Sequence, residues 1–169
     1  ISPRQRIECC CIDCREKCLW AQDLGGPKVP RDVVSFRRAM DLAYLTNDVR
    51  VCRGGNQLAF FRLRVDAPSV NCVSSCCHTT LMIEHPSYQG RAVLVFPEIG
   101  LLSTCEIATA ARVFTEDFPR EQLVHLPKID APDEAWRVAR DRELPDAQLG
   151  QRFQDILNES GGLVTVINL

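Results

Sequence analysis

Short apolar runs broken by turn residues dominate the first two thirds of the chain, with no long helical period among them. Arg6 to Cys11 reads as extended. Cys11-Ile-Asp-Cys14 reads as a tight turn, and Arg15 to Leu24 as a short helix stopped by Gly25-Gly26-Pro27. From Val33 the pattern turns β-like, with a strand over Asp41 to Leu45 and a turn at Thr46-Asn47-Asp48. Val49 to Arg53 alternates apolar and polar with period two, Gly54-Gly55-Asn56 is a hairpin signal, and Gln57 to Arg64 is the expected returning strand. Ser69 to Val73 leads into the second cysteine group and Thr79 to Glu84 leads away from it, and Ala92 to Phe96 predicts a buried strand that ends at Pro97.

The last third changes character. Cys105 to Phe114 carries a weak helical pattern, and Pro127 to Pro132 reads as a linker. Asp133 to Arg140 and Asp146 to Leu157 have helical periodicity, with Asp at N-cap positions and Gly161-Gly162 after the second.

Composition narrows the function classes. The 169 residues hold 20 Lys+Arg against 22 Asp+Glu, so no basic field offers itself to a phosphate backbone and nucleic acid is not an expected partner. No apolar run nears the ~20 residues that cross a bilayer, so no membrane partner is expected either. Aromatic residues make up 7%, which leaves the core to Val, Leu, Ile and Ala. P-loop, GxGxxG, HExxH and GxSxG patterns are absent, which disfavours nucleotide hydrolases, Rossmann oxidoreductases, zincins and α/β-hydrolases.

The excess lies in ten cysteines. That share falls below the ~8–10% of small disulfide scaffolds. Consecutive cysteines on a strand also point to opposite faces, which suits pairing poorly. With no secretory signal in view, the expectation is a reduced, cytoplasmic protein whose clustered thiols bind metal. In Cys9-x-Cys11-x-x-Cys14, Cys9 and Cys11 share one face of an extended segment, Cys10 faces away, and a turn returns Cys14 to the same point. Three thiolates can then converge on one tetrahedral Zn²⁺. The second group, Cys72 with Cys76-Cys77-His78, offers a fourth ligand in Cys77 or Cys76, and His78 a ligand or proton donor. Cys18, one helical turn past Cys14, is expected to pack, and Cys52 and Cys105 to be small core residues. Asp13 and Arg15 flank the metal motif, with Arg15 a candidate to steady a thiolate or an anionic substrate. His85 and His125 rank below His78.

These readings give an α+β fold, mainly β. Hairpins assemble around a Cys-ligated zinc site over residues 1–103, and a helical C-terminal extension over 104–169 packs on the same domain.

The motifs Cys9-Cys10-Cys11-Ile12-Asp13-Cys14-Arg15 and Cys77-His78-Thr79-Thr80-Leu81 resemble those of the glutathione-dependent formaldehyde-activating enzyme family, which includes centromere protein V. The likeness is to a divergent bacterial branch with a doubled cysteine at the second knuckle, as in Cys76-Cys77. It covers roughly residues 6–100. It implies hairpins built around zinc, with Cys9, Cys11 and Cys14 holding the ion that serves activity on glutathione-type thiol adducts. Glutathione is then the candidate cosubstrate, and a small-molecule thiol or thiol adduct the expected partner. The family's second, structural zinc needs an upstream CxC and a later CxxC. No upstream CxC is seen and Ser74 stands three before Cys77, so that site is expected to be lost. One zinc held by Cys9, Cys11, Cys14 and Cys76 or Cys77 would then join the two halves of the sheet. Four thiolates would leave it no open position. The expected activity is a zinc-dependent carbon–sulfur lyase or transferase. Two alternatives stand beside it: a non-catalytic zinc-stabilised binding module, and thiol redox chemistry through Cys11-x-x-Cys14 or Cys76-Cys77.

Overall fold

The computed structural model describes residues 3–88, 90–99, 108–129 and 149–169. Eight strands form one sheet: β1 (Pro3–Cys9), β2 (Met40–Thr46), β3 (Leu58–Arg62), β4 (Val70–Ser74), β5 (Thr80–Glu84), β6 (Ala92–Val95), β7 (Thr109–Val113) and β8 (Val164–Val166). Their order is β7-β1-β2-β6-β5-β4-β3-β8, and the two edge pairings, β1 with β7 and β3 with β8, are the parallel ones. Helix α1 (Ile12–Asp23) follows β1, and α4 (Gln151–Glu159) precedes β8; α2 (Arg31–Val34) and α3 (Arg120–Leu123) are single turns.

Helices cover the sheet on both faces. Ile7, Cys9, Leu42, Tyr44, Ile83, Leu94 and Val113 share a core with Cys14 and Cys18 of α1. Ala43, Leu45, Phe60, Cys72, Met82, Val93 and Val95 pack on the other face with Phe153, Ile156 and Leu157 of α4. That double cover explains β2, where Met40 to Leu45 are all buried because alternate residues feed opposite cores. The one charge among them, Asp41, accepts a two-pronged bond from Arg6 at 2.7 and 2.8 Å.

Helix α1 begins earlier than expected. Cys11 is its N-cap, and its Sγ accepts the Cys14 N–H at 3.2 Å, so the anticipated tight turn at Cys11–Cys14 is the first turn of the helix. The helix closes where the glycines predict. Gly26 N–H reaches the Ala21 carbonyl and Gly25 N–H that of Gln22, both at 2.9 Å, with Gly25 left-handed at φ +96°. In the last turns of α1, the Trp20 ring centroid lies 4.6 Å from that of Phe61 on β3.

Three expectations change. Val49 to Arg53 forms no strand: β3 is already paired with β4 and β8, and Val49 and Val51 pack as loop residues on the α4-side core, with the Val49 carbonyl bonded to Arg152 Nε at 2.6 Å. Residues 109–113 are a strand rather than a helix, recruited by the free edge of β1. The C-terminal third is therefore more than a helical extension, since it supplies both edge strands, β7 and β8, as well as α4. The helix expected over 133–140 and the first residues of the one over 146–157 lie outside the described residues; the latter appears as α4.

Candidate metal centre

The strand-to-helix crossover builds the site. β1 ends at Cys9, whose side chain faces α1, and Cys10 N–H continues the pairing to the Val113 carbonyl at 2.9 Å. Cys10 turns to the opposite side and is buried with Ala39, Phe118 and Leu126. One residue later Cys11 caps α1, and the helix's first turn brings Cys14 back beside Cys9. The sulfurs of Cys9, Cys11 and Cys14 all lie within 4.8 Å of one another, and Cys9 Sγ stands 3.6 Å from Cys14 Sγ. Metal–sulfur bonds of about 2.3 Å set a tetrahedral edge of about 3.8 Å, so the Cys9–Cys14 pair already has the spacing of two ligands on one ion. The donor set and its geometry thus fit a tetrahedral, thiolate-preferring metal.

The three thiols titrate as a set. Hydrogen bonds from Cys11 and Cys9, aided by the Lys17 ammonium, hold the Cys14 thiol well below its usual range. Cys9, through its hydrogen bonds with Cys11 and Cys14, and Cys11, through its hydrogen bond with Cys14, are pushed well above theirs, burial adding to both. Lys17 is 5% exposed, and its Nζ donates to Asn71 Oδ1 at 3.3 Å. Burial alone would lower its pKa, but the thiols of Cys14, Cys11, Cys18 and Cys9 outweigh that and raise it. Three thiolates around a divalent ion leave one net negative charge, which a buried ammonium alongside offsets.

The cluster borders a cavity of about 420 Å³, within the range of small-molecule sites. Leu42, Ile83 and Leu94 give it an apolar floor, Tyr44, Tyr88 and His85 a polar flank, and an Arg64–Asp13 ion pair at 2.7 and 3.0 Å stands at its rim. The Ser87 N–H donates to His85 Nδ1 at 3.0 Å, so the neutral imidazole carries its proton on Nε2. Sequence reasoning ranked His85 below His78 and passed over Lys17. His85 follows β5 by one residue, and on β5 Ile83 already faces α1; that alternation was the signal available for it.

The second cysteine group lies elsewhere. Cys76, Cys77 and His78 form the turn between β4 and β5, and the His78 carbonyl sits against Gly26, just past the C-terminal end of α1. About 18 Å of helix separates that end from the cysteine cluster, and neither Cys76 nor Cys77 joins it among the described residues. The zinc bridge between the two halves of the sheet is thus not what this geometry forms, and His78 is likewise remote from the cluster. The remaining cysteines divide by burial. Cys18 and Cys72 are buried and pushed up to about 12, by burial first in each case. Cys52 is exposed, not the core residue expected, because its segment forms a loop instead of a strand. Cys105 lies outside the described residues. Arg15 stacks 3.7 Å over the Phe36 ring and pairs with Glu16 at 3.0 Å, and His125 is exposed.

Comparisons of the chain with protein-family models, with curated proteins and with solved structures returned no match.

Proposed function

We propose that the protein is a zinc-dependent enzyme of carbon–sulfur chemistry, a lyase or transferase acting on a small-molecule thiol adduct, related to the formaldehyde-activating enzyme family. The observation that carries this reading is the convergence of the Cys9, Cys11 and Cys14 sulfurs beside a cavity of about 420 Å³, with no fourth ligand side chain in the cluster among the described residues. Zinc bound there supplies a Lewis-acid centre with a position left for a substrate sulfur. The protein's own groups fit such a substrate. Leu42, Ile83 and Leu94 exclude water from the floor, and His85 holds a proton at Nε2 on the cavity flank. Lys17 balances the charge of the thiolates. A reducing, cytoplasmic-type compartment suits three thiolates that must stay unpaired.

Cobalt(II) loading tests this reading. One metal per chain is expected, with sulfur-to-cobalt charge transfer in the near ultraviolet and visible bands that shift when a low-molecular-weight thiol is added. Visible bands indifferent to thiol would point to the closed, structural site of a binding module. Cys11→Ser should abolish both the metal signal and the turnover of a thiol–aldehyde adduct; normal turnover in that variant would remove the metal from the chemistry.

A further inference from the structure

A second sulfur cluster stands on the turn between β4 and β5, at the far end of α1 from the metal centre. Ser74 N–H bonds the Thr79 carbonyl at 3.0 Å and His78 N–H the Ser74 carbonyl at 2.9 Å, closing the turn, while His78 takes a left-handed φ of +49°. Cys76 and Cys77 are both exposed on it. Cys77 Sγ lies between two hydroxyls, 3.3 Å from Ser74 Oγ and 3.2 Å from Thr79 Oγ1, and Ser74 Oγ also lies 3.0 Å from Cys76 Sγ. Thr79 is buried, so its hydroxyl is held against the sulfur from the inside of the turn.

As a neutral thiol, Cys77 donates to Ser74 Oγ. Hydroxyl protons rotate, so when the sulfur ionises both hydroxyls turn toward it and donate. Donors that serve the anion better than the thiol favour ionisation. Accordingly the Ser74 and Thr79 hydroxyls hold the Cys77 thiol down at about 7. Cys52, the exposed thiol of the β2–β3 loop, has no hydroxyl partner among the described residues.

We propose that Cys77 is a covalent modification site, an exposed nucleophile that exchanges with low-molecular-weight disulfides. Its thiolate forms a bond to one sulfur of the disulfide, the disulfide's own S–S bond breaks, and the other half leaves as a thiolate that takes a proton from solvent. Cys77 is oxidised to the mixed disulfide while the departing half is reduced, so no further oxidant is needed. The product is expected to persist as a mixed disulfide. Adjacent Cα atoms about 3.8 Å apart fall short of the ~4.4–6.8 Å that an unstrained disulfide spans, which disfavours closure onto Cys76.

The test treats the purified, metal-loaded protein with oxidised glutathione, and separately with a bimane alkylating agent, from pH 5.5 to 9, mapping adducts by peptide mass spectrometry. Cys77 should react first, with a half-maximal rate near pH 7. At pH 7 it should run about fivefold faster than a thiol of ordinary pKa, since its larger thiolate fraction is partly offset by the lower nucleophilicity of a more acidic thiol. Ser74→Ala should raise the midpoint, and Ser74→Ala with Thr79→Val should move it up by more than one pH unit. Reaction of Cys77 no faster than Cys52, or a wild-type midpoint at the ordinary thiol value, would overturn the proposal without recourse to any variant. A two-dalton loss at Cys76-Cys77 in place of a glutathione adduct would overturn the predicted product.

Discussion

Serine at position 11 separates two jobs that the cysteine performs with one atom. Cys11 Sγ is a member of the thiol cluster, and it also accepts the Cys14 N–H at 3.2 Å as the N-cap of α1. A serine hydroxyl is among the best N-caps, whereas alanine leaves the N–H without its partner at a cost of about 1 kcal/mol. In a chain of this size, each kcal/mol shifts the melting temperature by roughly 2–4 °C. Metal-free Cys11→Ser should therefore melt with the metal-free wild type, and metal-free Cys11→Ala about 3 °C lower. The metal-loaded comparison behaves differently. A ligand at 1,000 times its dissociation constant adds about 4.1 kcal/mol, or roughly 8–16 °C by the same scale. Cys11→Ser and Cys11→Ala should both lose most of that increment. Calorimetry on the three proteins, with and without one equivalent of zinc, reads both effects. If metal-free Cys11→Ser melted as low as Cys11→Ala, the capping argument would fail. If Cys11→Ser kept the full zinc increment, Cys11 would not be a ligand.

Three further outcomes follow from the packing. Burial pushes the Glu84 carboxyl up to about 7 against opposing hydrogen bonds from the Gly150 and Gly90 amides, from a reference of 4.5. The folded state thus binds the extra proton, and stability is fully present below pH 4.5 and lost as pH rises through 7, by at most about 3 kcal/mol. Glu84→Gln should flatten that slope in urea titrations at pH 5.5, 7 and 8.5, and an unchanged slope would show that another group sets it. At Gly26 an added Cβ would meet the Ala21 carbonyl oxygen at 2.6 Å and that of His78 at 2.7 Å, both backbone, so Gly26→Ala should cost about 1–3 kcal/mol by chemical denaturation; a neutral result would mean that the α1 C-terminus and the β4–β5 turn are not in contact. Phe153, fully buried on the α4 face, should cost about 3–5 kcal/mol when cut to alanine while leaving metal stoichiometry unchanged, and loss of metal in a folded variant would contradict the two-core description.

Local periodicity made parts of this architecture readable, and long-range pairing hid the rest. The division of Cys9 from Cys10 follows from strand alternation, and the return of Cys14 needs three residues of chain, so the cluster was legible. The type of turn was not: a thiol acting as an N-cap lies outside the usual Ser, Thr, Asp and Asn signals. Val49 to Arg53 has a strand's alternation but no free edge to join, because β8 takes the place beside β3. β7 pairs with β1 across about 100 residues of chain, and β8 is three residues long, so neither leaves a pattern that a local window can weigh. The sequence distance between Cys14 and Cys77 likewise says nothing about the length of α1, which sets them at opposite ends. His85 entered the site the same way, placed by the register of β5 against β6 and β4 rather than by a motif.

X-ray absorption at the metal edge of the purified protein tests the central claim most directly, because it counts the ligand atoms. One zinc with three sulfurs at about 2.3 Å and one lighter oxygen or nitrogen neighbour is the predicted result. Four sulfurs would contradict the open position on which the catalytic reading rests, and a protein that retains no metal would contradict the site itself.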